Sequence, residues 1–293
     1  MNTRSMLSIA TLALASAVVL TGCPDDKGAG ATGGKPSRPG TTAKPGSSGD
    51  TAPAASTGKA EPKPAGGGEA YGKGVIKATV KFTGTAPEMK VPKKRAEAEF
   101  CKDEEVKFNA VVVNDGKLQD VFVGIADGQL SGDYEAGSPV EIDQKGCMYH
   151  PRLAAVMPEQ EMVIKNSDPT LHNVNASKGA TTLFNTAQPK GAPDLKKSFE
   201  ETGVYKLKCD VHSWMRAFVI TSDNPFFGVT GADGTTSIEK VPDGKHKVIA
   251  WHSQYGKKEK EVEVKGGEVT VDFEFDGTEE EPAENKGELN DLF

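Results

Sequence analysis

Val204-Tyr205-Lys206-Leu207-Lys208-Cys209-Asp210-Val211-His212-Ser213-Trp214-Met215-Arg216-Ala217-Phe218-Val219-Ile220 is the most informative stretch of the chain. It opens on Tyr205 and Leu207 alternating with lysines and closes on the apolar run Ala217 to Ile220, so it reads as strand, short loop, strand. The loop carries a thiolate donor (Cys209), an imidazole (His212) and a thioether (Met215) within seven residues. Upstream, Asn166-Ser167-Asp168-Pro169-Thr170-Leu171-His172-Asn173-Val174 places a second imidazole in a loop that ends another strand.

Taken singly, each donor has an ordinary explanation. A cysteine before a core strand is usually a small buried hydrophobe, a lone histidine a surface or satisfied polar group, and a methionine packing. Together they match a chemistry. Two imidazoles and one thiolate with a weak axial thioether suit a copper that changes charge, because soft sulfur favours Cu(I) and imidazole serves both oxidation states. Structural zinc sites generally use four Cys or His ligands and no thioether.

Asn-x₅-His-Asn-Val followed by Cys-x₂-His-x₂-Met resembles the ligand signature of the cupredoxins, and the short second loop is most similar to that of amicyanin. The resemblance implies a Greek-key β-sandwich over 70–222 holding one mononuclear copper. His172, Cys209 and His212 would be equatorial ligands and Met215 the axial one, with Asn173 tying the two ligand loops together. It further implies electron exit through His212, with Trp214 as an apolar docking edge and a redox protein such as a c-type cytochrome as partner. Asp210 and Trp214 depart from the family's pattern and bear on potential and partner choice.

The rest of the ordered chain reads as strands. Ile76, Ala78, Val80 and Phe82 alternate with Lys77, Thr79 and Lys81, and Asn114-Asp115-Gly116 is a hairpin turn between 110–113 and 120–125. One short helical candidate covers 96–100. After Ser222-Asp223-Asn224-Pro225 short strands restart, ending in Val269, Val271, Phe273 and Phe275 at alternate positions. Turns at spacings of about 8 to 12 residues argue for sandwiches. The expectation is therefore an all-β chain with two sandwiches, 70–222 and 223–275. The second resembles the carboxypeptidase regulatory-like, transthyretin-like domain, which implies no activity, and Trp251 is expected in its core.

The flanks are different in kind. Arg4, an apolar run from Met6 to Leu20 and Leu20-Thr21-Gly22-Cys23 resemble a bacterial lipoprotein signal over 1–22, with Cys23 lipidated and the chain anchored to a membrane after export. Pro24 to Glu69 has 46 residues with no Val, Ile, Leu, Met, Phe, Trp, Tyr or Cys. Such a segment has nothing to bury, so 23–69 is expected to be a disordered tether. Residues 276–293 hold a net charge of −6 out of −7 for all 293 residues and read as an acidic, disordered tail. With Cys23 and Cys209 so assigned, Cys101 and Cys147 remain. They either pair as a disulfide, as exported cysteines commonly do, or contribute with Cys147-Met148-Tyr149-His150 to a second metal site.

Composition excludes several functions. A pI near 5.4 gives no field for phosphate backbones, so nucleic-acid binding is not expected. Five histidines with no His-x-His pair cannot build a multicopper cluster, and no Gly-x-Ser-x-Gly elbow or nucleotide fingerprint is present. The expectation is a membrane-tethered, extracytoplasmic blue-copper electron carrier and not an enzyme. Copper capture at the cell surface and a metal-free binding or assembly module are the alternatives.

Overall fold

The computed structural model describes residues 71–92, 99–102, 104, 106–130 and 132–282. The signal segment, Cys23, the tether, 96–98 of the helical candidate and the tail from 283 lie outside the described residues. Within them the chain is all-β, and Glu99 and Phe100 form a turn. Among the described residues no helix is long and apolar enough to cross a membrane.

The first strands are β1 (Gly74–Phe82), β2 (Val113–Asn114), β3 (Lys117–Leu118) and β4 (Val121–Ile125). Next come β5 (Val140–Lys145), β6 (Met148–His150), β7 (Leu153–Val156), β8 (Met162–Asn166) and β9 (His172–Lys178). These are followed by β10 (Thr181–Gln188), β11 (Leu195–Lys197), β12 (Gly203–Lys208) and β13 (Arg216–Thr221). The last group is β14 (Phe227–Val229), β15 (Thr235–Val241), β16 (Gly244–His252), β17 (Gly256–Val264) and β18 (Glu268–Phe275).

Strands β5 to β13 form two sheets ordered β11-β8-β5-β6 and β10-β9-β12-β13-β7. The side chains between them, among them Ile142, Met162, Ile164, Val174, Ala176, Leu207 and Val219, make one buried core. Cys101, Val106, Phe108 and Ala110 join that core from the connection between β1 and β2. Burying each such side chain contributes on the order of 1.5–3 kcal/mol for the larger aliphatics.

The remaining strands correct the expected division at 222. β1 pairs in parallel with β18 along its length and antiparallel with β15, while β4 lies between β14 and β16. The C-terminal strands thus build their two sheets with β1 to β4. Segment 223–275 is not a self-contained sandwich. The physical reason is core sharing: Ile76, Val80, Phe82, Val121 and Val123 bury against Ile238, Val248, Val271, Phe273 and Phe275. The sandwich that carries His172, Cys209, His212 and Met215 is an insertion between β4 and β14.

Period-2 alternation identified β1 and β18 because each has one buried face. The Asn114-Asp115-Gly116 turn is present, with Asp115 and Gly116 both at positive φ, the conformation a two-residue hairpin turn demands. It joins only β2 to β3, and 121–125 departs for another sheet.

The two sandwiches meet through Phe122 and Trp251 on one side and Leu153, Phe218 and Ile220 on the other. Trp251 is buried, but in this seam and not in the core that the C-terminal strands share with β1 to β4. Arg152 reinforces the seam, with its guanidinium 5.8 and 5.4 Å from the Phe108 and Phe218 rings and a donated bond to Ser253 Oγ at 3.1 Å. The acidic segment begins in order, not disorder: Glu279 pairs with Lys258 at 2.7 Å and accepts the Gly277 N–H.

Nearby, His252 is buried, stacks on Tyr255 and accepts the Gln254 N–H at Nδ1. Burial, helped by the Arg152 charge, lowers its pKa to about 3. Below pH 6.5 the unfolded chain protonates this imidazole while the folded chain does not, so stability falls as pH falls towards 3. The loss at pH 4 is about 3 kcal/mol. His252→Phe is expected to remove most of that pH dependence, read as the change in urea midpoint between pH 7 and pH 4. An unchanged dependence would refute the assignment.

Candidate metal centre

The two ligand loops converge at one end of the inserted sandwich. Tyr205, Leu207 and Cys209 share the buried face of β12 and its extension, and Met215, Ala217 and Val219 share that of β13. Register Lys208↔Arg216 sets Cys209 opposite Met215, and the Cys209 N–H donates to the Met215 carbonyl at 3.1 Å. The hairpin thus holds both sulfur residues on the core side of its tip. His172 opens β9 with its side chain on the same face as Val174 and Ala176. It lies at the start of a strand, and the loop before it is Ser167 to Leu171.

His172 Nδ1 and His212 Nδ1 are 2.9 Å apart, and Cys209 Sγ lies 4.0 Å from the first and 3.9 Å from the second. The in-plane point equidistant from these three atoms lies about 2.1 Å from each, inside the range of protein nitrogen and sulfur bonds to a first-row divalent metal. All four expected ligands are buried, His212 at 4% exposure being the least covered. The residues fit a small metal ion.

Burial pushes the Cys209 thiol up. Hydrogen bonds from the imidazoles of His172 and His212 and from the Asn173 and His212 backbone N–H groups outweigh it and bring the pKa down to about 6. A thiolate is thereby available near neutral pH, which metal binding needs. His172 is pulled the other way by burial, but the Asp168 carboxylate and the Cys209 sulfur leave its pKa raised.

The expected tie between the loops is present. Asn173 Oδ1 accepts the Asp210 N–H at 2.7 Å and stands 3.3 Å from Cys209 Sγ. Its backbone carbonyl accepts the Tyr149 hydroxyl at 2.8 Å. Asn166, the first residue of the upstream motif, donates to the carbonyls of Thr170 and Gln188 and so braces the loop that delivers His172.

Asp168 was not foreseen. Its carboxylate accepts His172 Nε2 at 2.9 Å, and also the Gly146 and Cys147 N–H groups at 2.7 and 2.8 Å. A ligand imidazole oriented through its far nitrogen is a recurrent device of metal sites. The only sequence signal was a carboxylate four residues before His172.

Cys101 and Cys147 form the disulfide. Cys147 is therefore not a metal donor, and His150 is exposed with Nε2 facing the Lys145 carbonyl. Trp214 corrects the expected docking edge: it is 2% exposed, packs in the core 5.2 Å from the His212 ring and donates its indole N–H to the Cys147 carbonyl. An aromatic of that size fills the interior between the ligand loop and the disulfide. The exposed apolar residues of the two loops are Leu171 and Val211.

No protein-family model matches the chain. No curated protein matches it. Among solved structures it is similar to a purple cupredoxin from Nitrosopumilus maritimus, 23% identical over 28% of this chain and 99% of that one, with a TM-score of 0.26. It is also similar to pseudoazurin from Methylobacterium extorquens, 24% identical over 30% and 77% of the two chains, TM-score 0.25. Amicyanin from Paracoccus versutus is 20% identical over 36% and 99%, TM-score 0.27.

Proposed function

We propose that this chain is a copper protein that passes single electrons outside the cytoplasm, held at a membrane by a lipid on Cys23. The convergence of His172, Cys209 and His212 on a point about 2.1 Å from each donor atom carries the reading. Met215, set across the hairpin from Cys209, completes the donor set. Bound copper would supply a one-electron couple whose two charge states share these ligands.

The protein's own part is to hold the donors still. Asn173 locks one loop to the other, Asp168 fixes the His172 ring, and Trp214 fills the space beside His212. A fixed donor set leaves little rearrangement on electron transfer. The least covered ligand, His212, lies next to exposed Val211 and is the natural point of electron exit towards a redox protein such as a c-type cytochrome. The reading assigns no substrate turnover to the chain.

Titrating the purified protein with Cu(II) is expected to give an intense visible thiolate-to-copper band at one equivalent, which ascorbate bleaches and air restores. A colourless Cu(II) complex overturns the reading. Tight Cu(I) binding with slow electron exchange would favour copper capture instead.

A further inference from the structure

The residue after the cysteine ligand is tied down more heavily than a loop turn requires. Asp210 Oδ2 accepts from the side-chain amides of Asn173, Asn175 and Asn185 at 3.0, 3.0 and 2.7 Å, and Oδ1 from Asn175 at 3.1 Å. Asn173 and Asn175 lie two apart on β9 and so on one face, and β10 register sets Asn185 opposite Asn175. The three amides converge on one carboxylate. Asn173 meanwhile donates to Asn185 Oδ1 at 2.7 Å, and its other atom faces Cys209 Sγ.

Four hydrogen bonds donated by side-chain amides favour the ionised carboxylate over the protonated acid, so the cage holds a negative charge in place. That charge sits one amide away from the metal-facing sulfur. Lys208, a cation in contact range, is 3.5 Å off and 41% exposed. A pair so open to solvent is a weak counterweight.

We propose that Asp210, caged by Asn173, Asn175 and Asn185, is a positioning residue that biases the metal centre towards its more highly charged oxidation state. This rests on the copper reading given above. A fixed anion nearby stabilises Cu(II) relative to Cu(I), and so lowers the reduction potential. Because the Asp210 side chain is itself 41% exposed, the bias weakens as salt screens it.

The test compares wild type, Asp210→Asn and Asp210→Glu, each loaded with copper, by redox titration of the visible band and by Cu(I) competition against a chelator. Asp210→Asn keeps the shape and removes the charge. It is expected to shift the Cu(I)/Cu(II) preference about tenfold towards Cu(I), or about 60 mV upward. Asp210→Glu is expected to restore most of the wild-type value, and the Asn shift is expected to shrink between 20 mM and 500 mM salt. A shift absent in Asp210→Asn, or equal in both variants, overturns the charge role. If wild type itself forms no thiolate-to-copper band, the copper reading fails and this inference with it. A normal band with an unmoved potential overturns only the inference.

Discussion

Cys209→Ser is expected to abolish the thiolate-to-copper band and to weaken Cu(I) binding by well over the roughly 100-fold that loss of an outer partner costs a metal site. A serine hydroxyl stays protonated near neutral pH and is a hard oxygen, a poor donor for Cu(I). The exchange is nearly isosteric, and a hydroxyl can still accept the His212 N–H that now reaches Sγ at 3.4 Å. The fold should therefore survive, checked by the melting transition of the apo-protein. A band that persists in the variant would place the chromophore elsewhere and sink the assignment.

The second large effect follows from strand pairing. A chain ending at Asp223 removes β14 to β18, leaving β1 without β15 or β18 and β4 without β14 or β16. It also removes Ile238, Val241, Val248, Ala250, Val264, Val271, Phe273 and Phe275 from one core. At about 1.5–3 kcal/mol for each larger side chain, this matches or exceeds most of the roughly 5–15 kcal/mol by which whole domains are stable. Loss of structure in 71–125 is expected, seen as lost amide protection in β1 and β4. Wild-type protection there would restore the sequential division at 222.

The meeting of His172, Cys209 and His212 was legible because few residue types offer nitrogen or sulfur donors, and their spacing is set by two loop lengths. The β1 and β18 strands were legible because each has one buried face. What escaped had no local signature. That β1 pairs with β18, nearly two hundred residues later, is a long-range choice that alternation is silent about. β17 reads Gly-Lys-Lys-Glu-Lys-Glu before its apolar end, since it is a sheet edge whose side chains face water. Trp214 looked like a docking residue beside a ligand, yet the disulfide offered its indole a carbonyl and a buried place. The Asn173, Asn175, Asn185 and Asp210 cage needs the register of β9 and β10 to be seen at all.

The insertion has a thermodynamic consequence. Ile125 N–H donates to the Phe226 carbonyl at 2.9 Å, so the chain leaves and re-enters one sheet at a single rung. Everything between, about a hundred residues, occupies the place of a hairpin loop. Closing so long a connection as random coil costs about 3 kcal/mol more than closing a four-residue turn. A folded insert whose ends already meet relieves that cost. Whatever steadies the inserted sandwich, a ligand bound at its tip included, is therefore felt in a sandwich that never touches the ligand.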